Sequence, residues 1–247
     1  MIDVHAHLIP GVDDGAEEMA MALTMMLRAQ DQGITAMTAT PHSMAFDADA
    51  PSVYNQFQNL QLMVKLFFSD MELYFGCEVY CEAERMPEIL KALDSGVYPT
   101  MNGTSYVLTE FSQWTSPERA LSCVKALAAG GYTPLIAHME RYAYLRSQEA
   151  LVSRFREMGA KIQINAYSLY DEQDPGIKNW ARKLAENQWA DFLGTDAHRT
   201  YHRPPCAQMG LNWLYENAPK EYADELSFGN AQSLLGMKEG GVEDGTL

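Results

Sequence analysis

The strongest constraint on this chain is a steady alternation of two patterns. Short β-rich runs at 2–7, 34–40, 72–79, 105–111, 133–138, 161–166 and 190–195 are separated by amphipathic stretches. Strand–helix alternation of this kind implies a largely parallel sheet. Seven such units predict a closed or nearly closed α/β barrel. Residues 17–31 place Met19, Leu23, Met26, Leu27 and Gln30 at helical spacing, and 52–68 do the same with Val53, Phe57, Leu60, Val64 and Phe67. Residues 117–129 open with Ser116 as N-cap and Pro117 in the first turn, and close at Gly130-Gly131. Stretches 142–158 and 175–188 read in the same way. At 247 residues the chain has about the length of one barrel domain. No internal repeat or Pro/Gly/Ser-rich linker divides it. Residues 1–247 are therefore expected to form a single domain, with 237–247 as a frayed tail.

Bulk chemistry excludes several functions. With 18 Lys+Arg against 33 Asp+Glu, the formal charge is −15. That repels nucleic-acid backbones and anionic membrane surfaces. No apolar run approaches the roughly 18 residues that span a bilayer. The first residues lack the basic and apolar regions of a secretory signal, so a cytoplasmic protein is expected. Cys77, Cys81, Cys123 and Cys206 are scattered, and none has an arginine six positions later, the spacing of a cysteine-dependent phosphatase loop. Cys77-x-x-x-Cys81 could be half of a zinc site, but no second pair completes it. The four thiols read as reduced and structural.

Chemistry gathers where the strand-like runs end. His5-x-His7 closes the first, and alternation along a strand points both imidazoles to one side. Asp14 follows in Asp13-Asp14-Gly15. His42 follows the second run, Glu78 ends the third, Glu110 the fourth and His138 the fifth; Asp196 and His198 end the seventh. Five of the six histidines occupy such positions, and His202 lies just beyond. In barrels of parallel strands, functional side chains sit at these strand ends. Each has a plainer reading. Asp14 with Glu17 makes a fair capping box, and Asp196-x-His198 could cap a helix. Glu78 and Glu110, however, lie in apolar runs, where an unpaired carboxylate is costly. Four carboxylates and five histidines together suit Mn²⁺, Fe²⁺ or Zn²⁺.

These pieces occur in a known order. His5-x-His7, Asp13-Asp14-Gly15, Thr40-Pro41-His42, Gly76-x-Glu78, Glu110-Phe111, Ala137-His138-x-Glu140-Arg141 and Asp196-Ala197-His198 resemble the polymerase-and-histidinol-phosphatase (PHP) family over nearly the whole chain. Within it, the chain is most similar to the manganese-dependent protein-tyrosine phosphatases of bacterial capsule and exopolysaccharide operons. The resemblance implies a distorted (β/α)7 TIM-like barrel and three divalent metals, foremost Mn²⁺. It assigns His5, His7, Glu78 and Asp196 to the first metal. Glu78 would bridge to a second, completed by Glu110 and His138, and Asp14, His42 and His198 would hold the third. Arg141 and Arg203 match the family's phosphate-binding arginines. The implied reaction is attack of a metal-activated hydroxide on a protein phosphotyrosine, with a bacterial tyrosine kinase tail as partner. A small-phosphate phosphatase, acting for example on histidinol phosphate, is the alternative. Phe46, Tyr54 and Trp114 are candidates to stack on a tyrosyl ring. Met139 stands where the family usually has proline, in the loop that presents Arg141.

Overall fold

The computed structural model describes residues 1–146 and 148–237, so the expected frayed tail lies, Met237 excepted, outside the described residues. Strands and helices alternate as β1 Ile2–Ala6, α1 Met19–Asp31, β2 Ala36–Ala39, α2 Ser43–Phe67, β3 Glu72–Phe75, β4 Glu78–Tyr80, α3 Met86–Asp94, β5 Tyr106–Glu110 and α4 Pro117–Ala129. The second half continues with β6 Thr133–Ile136, α5 Ala143–Arg146, α6 Ala150–Glu157, β7 Lys161–Asn165, α7 Pro175–Glu186, β8 Phe192–Gly194, α8 Gln208–Asn217, α9 Lys220–Asp224 and α10 Asn230–Leu235. All strand pairs are parallel.

The expected run 72–79 is two strands, not one. β3 pairs with β2, whereas β4 pairs with β5. The break falls at Gly76, where a Cβ would lie 2.8 Å from the Met101 sulfur. The methionine end packs against the bare glycine as the chain leaves one sheet for the next. The eight strands therefore form two sheets, β1-β2-β3 and β4-β5-β6-β7-β8. Isolated parallel bridges, Ala6 to Ala197 and His42 to Glu78, connect them. The hydrogen-bonded sheets do not themselves close into a barrel.

Two helices differ instructively from expectation. α2 starts at Ser43 rather than near residue 52, with a kink at Asp49 (φ −160°, ψ 77°) just before Pro51. Proline lacks an amide hydrogen and disfavours helical geometry before it. The Asp49 carboxylate takes up the freed Ser52 amide at 3.1 Å, as an N-cap would. In α1 the buried face is Ala22, Met25, Met26 and Ala29, while Leu27 is 53% exposed and Gln30 is exposed. Small alanines let this helix lie close to the core, and spacing based on large side chains misplaced its face. α1 also begins too late for Asp14 to cap it.

A large apolar cluster packs the helices onto the sheets. A smaller one joins Ile2, Val4, Leu108, Leu135 and Phe192 to Leu234 and Leu235 of α10. Among the described residues, no helix is long and apolar enough to cross a membrane.

Candidate metal centre

Every strand-end residue singled out above falls in one cluster. Glu78, the first residue of β4, lies at its middle, 1% exposed. Its Oε1 is 3.0 Å from His138 Nε2 and 3.3 Å from His5 Nε2. Its Oε2 is 2.9 Å from His42 Nδ1 and 3.3 Å from His7 Nε2. Asp196 Oδ1 stands 3.5 Å from ring nitrogens of His5, His7 and His198. Glu110 approaches His42 and His138 at 3.8 and 3.7 Å. Asp14, 64% exposed, reaches His42 and His198 at 3.3 Å. Four groups offer ligand atoms that lie mutually within 4.8 Å: His7, Asp14, His42 and His198; His5, His7 and Asp196; His5, Glu78 and His138; and His42, Glu78 and Glu110.

The hydrogen bonds behind the cluster test whether it suits a metal. His7 Nδ1 donates to Asp13 at 2.8 Å, and His5 Nδ1 to Gln163 Oε1 at 3.1 Å. With both protons placed outward, the two Nε2 lone pairs face each other across 3.2 Å. His198 Nδ1 donates to the Asp196 carbonyl at 2.8 Å, which turns its buried, unpartnered Nε2 toward the Asp14 carboxylate. Glu78 Oε2 is likewise buried without a well-formed hydrogen bond. Lone pairs aimed at lone pairs and at carboxylates repel one another unless a cation lies between them. Metal-ligating histidines characteristically donate their other N–H to such outer partners. The residues fit divalent metal.

The electrostatics agree. Burial, opposed by the charge of His5 and by the close approach of the His138, His42 and His5 rings, leaves Glu78 held well below the usual carboxylate range. Asp196 is buried too, yet Arg141 and His5 hold it well below as well. Burial and the Glu78 charge push Glu110 up to about 7. Burial and neighbouring His7 bring His198 down to about 2, so its Nε2 stays unprotonated.

Both arginines converge on the far side of Asp196. Arg141 Nη1 is 2.6 Å from Asp196 Oδ2, and Arg203 Nη1 is 3.3 Å from the same oxygen. Asp196 thus turns one oxygen to the histidines and the other to two guanidinium groups. Arg141 also donates to the Tyr167 hydroxyl at 2.6 Å. His138, Asp196 and Arg203 have positive φ, at 33°, 52° and 52°. For side-chain-bearing residues such backbone costs of order 1–3 kcal/mol and gathers at functional sites. Met139 is buried in the short helical turn Met139–Arg141 that follows His138.

Several contributors escaped sequence reasoning. Asp13 holds His7 and accepts from the His42 and Gly15 amides. Asp3 accepts from Thr195 and from the His5 amide. Gln163 Oε1 serves both His5 and the His138 amide, while its Nε2 donates to Asn165. Buried Glu140 accepts from the Asn165 amide and Ser168, fixing the turn that carries Tyr167. A signal for β7 lies in Gln163 and Asn165, which alternate with apolar Ile162 and Ile164; Tyr167 offers none. Phe46 and Tyr54 belong to an aromatic packing cluster with Phe75 and Tyr98, so they are not free to stack on substrate. Trp114 is 93% exposed on the loop after β5. The thiols stand outside the cluster's chemistry: Cys77, Cys81 and Cys123 are buried and all four are free.

Comparison with known proteins agrees with this architecture. Residues 1–236 match the family described as capsular polysaccharide synthesis, CpsB/CapC. The tyrosine-protein phosphatase YwqE of Bacillus subtilis is 31% identical over 241 residues, covering 95% of this chain and 91% of that protein. The tyrosine-protein phosphatase CpsB of Streptococcus agalactiae is 28% identical over 242 residues, covering 95% and 98%. Crystal structures of YwqE from Bacillus subtilis and CpsB from Streptococcus pneumoniae, described as unique metal-dependent tyrosine phosphatases, include a match with TM-score 0.84 at 28% identity, covering 97% of this chain and 96% of the other. Histidinol phosphate phosphatase from Lactococcus lactis shares the fold at TM-score 0.57 and 14% identity.

Proposed function

The chain belongs to the CpsB/CapC family of capsular polysaccharide synthesis, and from that premise we propose that it is a metal-dependent protein-tyrosine phosphatase. The observation that carries this reading is the set of histidine nitrogens turned inward on Glu78 and Asp196, beside two arginines with no other acidic partner as close as Asp196. The proposed assignment gives His5, His7, Glu78 and Asp196 to one metal, Glu78, Glu110 and His138 to a second, and Asp14, His42 and His198 to a third, with Mn²⁺ foremost. Bound divalent ions supply an activated water near neutral pH and neutralise phosphoryl charge. Arg141 and Arg203 bind the phosphoryl oxygens through planar, bidentate donors. Asp196 orients both guanidinium groups before substrate arrives, and Tyr167 holds Arg141 from the other side. The tyrosyl leaving group, with a pKa of about 10, needs less protonation than an alkyl alcohol.

The finer picture is a single, distorted (β/α) barrel, supported by the Ala6–Ala197 and His42–Glu78 bridges that bring the two sheets together. A cytoplasmic enzyme acting on the tail of a bacterial tyrosine kinase is the biological setting that follows from the family. The test is turnover of a phosphotyrosine peptide, a phosphoserine peptide and histidinol phosphate under identical metal, with Mn²⁺, Fe²⁺ and Zn²⁺ compared. Preference for the phosphotyrosine peptide supports the reading. Preference for histidinol phosphate by orders of magnitude replaces it with a small-molecule phosphatase.

A further inference from the structure

A cleft of about 480 Å³ opens beside Arg203, between the turn Ala166–Leu169 with the residues after it and the loop that follows His198. Tyr167, Tyr170, Tyr201, His202 and Pro204 form its walls. Arg203 lines it directly, and Arg141 lies one residue behind it, bonded at 2.6 Å to the hydroxyl of the lining Tyr167. The walls are ordered from behind. Gly210 of α8 packs so tightly on the turn that a Cβ would lie 2.0 Å from the Ala166 carbonyl oxygen, and Glu140 secures the same turn through Ser168. Burial and neighbouring Cys206 push the Tyr170 phenol up to about 12, so that wall is uncharged near neutrality.

We propose that this cleft takes the aryl group of the substrate ester and so selects aryl over alkyl phosphates. The proposal rests on the phosphatase reading for the position of the phosphoryl group. Arg203 lines the cleft and shares Asp196 Oδ2 with Arg141, so a phosphoryl group bound by the two arginines would lie at its edge. A cavity of roughly 150 Å³ suffices for a benzene ring, so the cleft has room for a tyrosyl ring and part of its backbone. Ring faces and edges from three tyrosines suit offset or edge-to-face contact, worth a few-fold to about tenfold in affinity beyond simple burial. A rival space of about 460 Å³ lies across Asp14, lined by Val12, Met44, Ala45 and Ala48 beside His42. It has no tyrosine, phenylalanine or tryptophan in its wall, and neither arginine lines it.

The test uses the full chain loaded with Mn²⁺ and two non-hydrolysable probes, benzylphosphonate and methylphosphonate, measured by calorimetry. The wild type should bind the aryl probe more tightly. Tyr170→Leu and Tyr201→Leu should reduce the ratio of the two affinities by about tenfold. Tyr201 is 70% exposed and also lines the neighbouring space beside Asp14 and His198, so Tyr170→Phe, which keeps the ring, accompanies it and should retain the ratio. Met44→Ala should leave the ratio as it was. An undiminished ratio in both leucine variants, or a ratio lost in Met44→Ala instead, overturns the proposal. Because the probes are bound and not turned over, absence of phosphatase activity would count against the functional reading separately. In turnover, the leucine variants should raise KM for phosphotyrosine more than they lower kcat.

Discussion

The carboxylate of Asp13 lies 2.8 Å from His7 Nδ1, fixing that proton and leaving Nε2 to face the cluster of candidate ligands. The same carboxylate binds the His42 and Gly15 amides, so it orders three segments at once. Outer partners of this kind typically affect metal affinity or activity by 10–100-fold. Asp13→Ala should therefore lower Mn²⁺ affinity by about that factor while leaving the fold intact by circular dichroism. Unchanged metal stoichiometry and affinity would show that His7 needs no such support.

Chelation should abolish phosphatase activity, and Mn²⁺ should restore it. Burial alone would lower the pKa of His5, His7 and His42, but Glu78 and Asp196 beside His5, Asp13 beside His7 and Glu78 beside His42 hold all three above 6.5. Ions must displace those protons, so apparent metal affinity should fall as pH drops through neutrality and rise with pH above it. Full activity in excess chelator, with no metal by elemental analysis, would overturn the metal reading.

Glu78 is buried among four imidazoles, whereas Asp14 is largely exposed at the cluster's edge. Glu78→Gln should cost more activity and more bound metal than Asp14→Asn. Equal, small losses from both would assign these carboxylates to structure.

Replacing Cys77, Cys81, Cys123 and Cys206 together by serine should keep kcat within about tenfold, a barrier change of about 1.4 kcal/mol. Burial holds the Cys77 and Cys81 thiols well above their usual range and raises Cys123 to about 11. Protonated thiols are poor nucleophiles. A trapped phosphocysteine would refute the mechanism.

Arg141→Ala should reduce kcat/KM by roughly 10²-fold or more, as preorganised donors to developing charge carry a few kcal/mol. Arg141→Lys keeps the charge but cannot reach Asp196 and Tyr167 with one planar fork, and should recover only part. Steady-state kinetics on a phosphotyrosine peptide decides this. Full activity in the lysine variant would show that charge alone suffices.

Much of this arrangement was legible in the chain. Parallel alternation and the ligand types follow from local pattern, because one strand dictates where its own last residues go, although Glu78 opens β4 where the sequence pattern has it end a strand. What pattern could not give was set by tertiary geometry. The run 72–79 reads as continuous but is split at Gly76-Cys77, because β3 finds its partner in β2 and β4 finds its partner in β5, both distant in sequence. Asp13 looked like a neighbour of the ligand Asp14, although its buried side chain turns to His7. Phe46 and Tyr54 look like stacking residues until Phe75 and Tyr98 are seen to enclose them. Tyr167 acquires meaning only when Glu140 folds its turn against Arg141.

The change of sheet at Gly76 has a mechanical consequence. His5 ends β1 on one sheet, while Glu78 and Glu110 lie in strands of the other. Little backbone hydrogen bonding crosses between them beyond single bridges. Ions shared by His5 and Glu78 would act as rivets across a seam, and their binding energy would be folding energy. Stripping them should open that seam first, with faster exchange of the His7, Glu78 and Asp196 amides, which cross it, than of those in the unbroken ladder from β4 to β8.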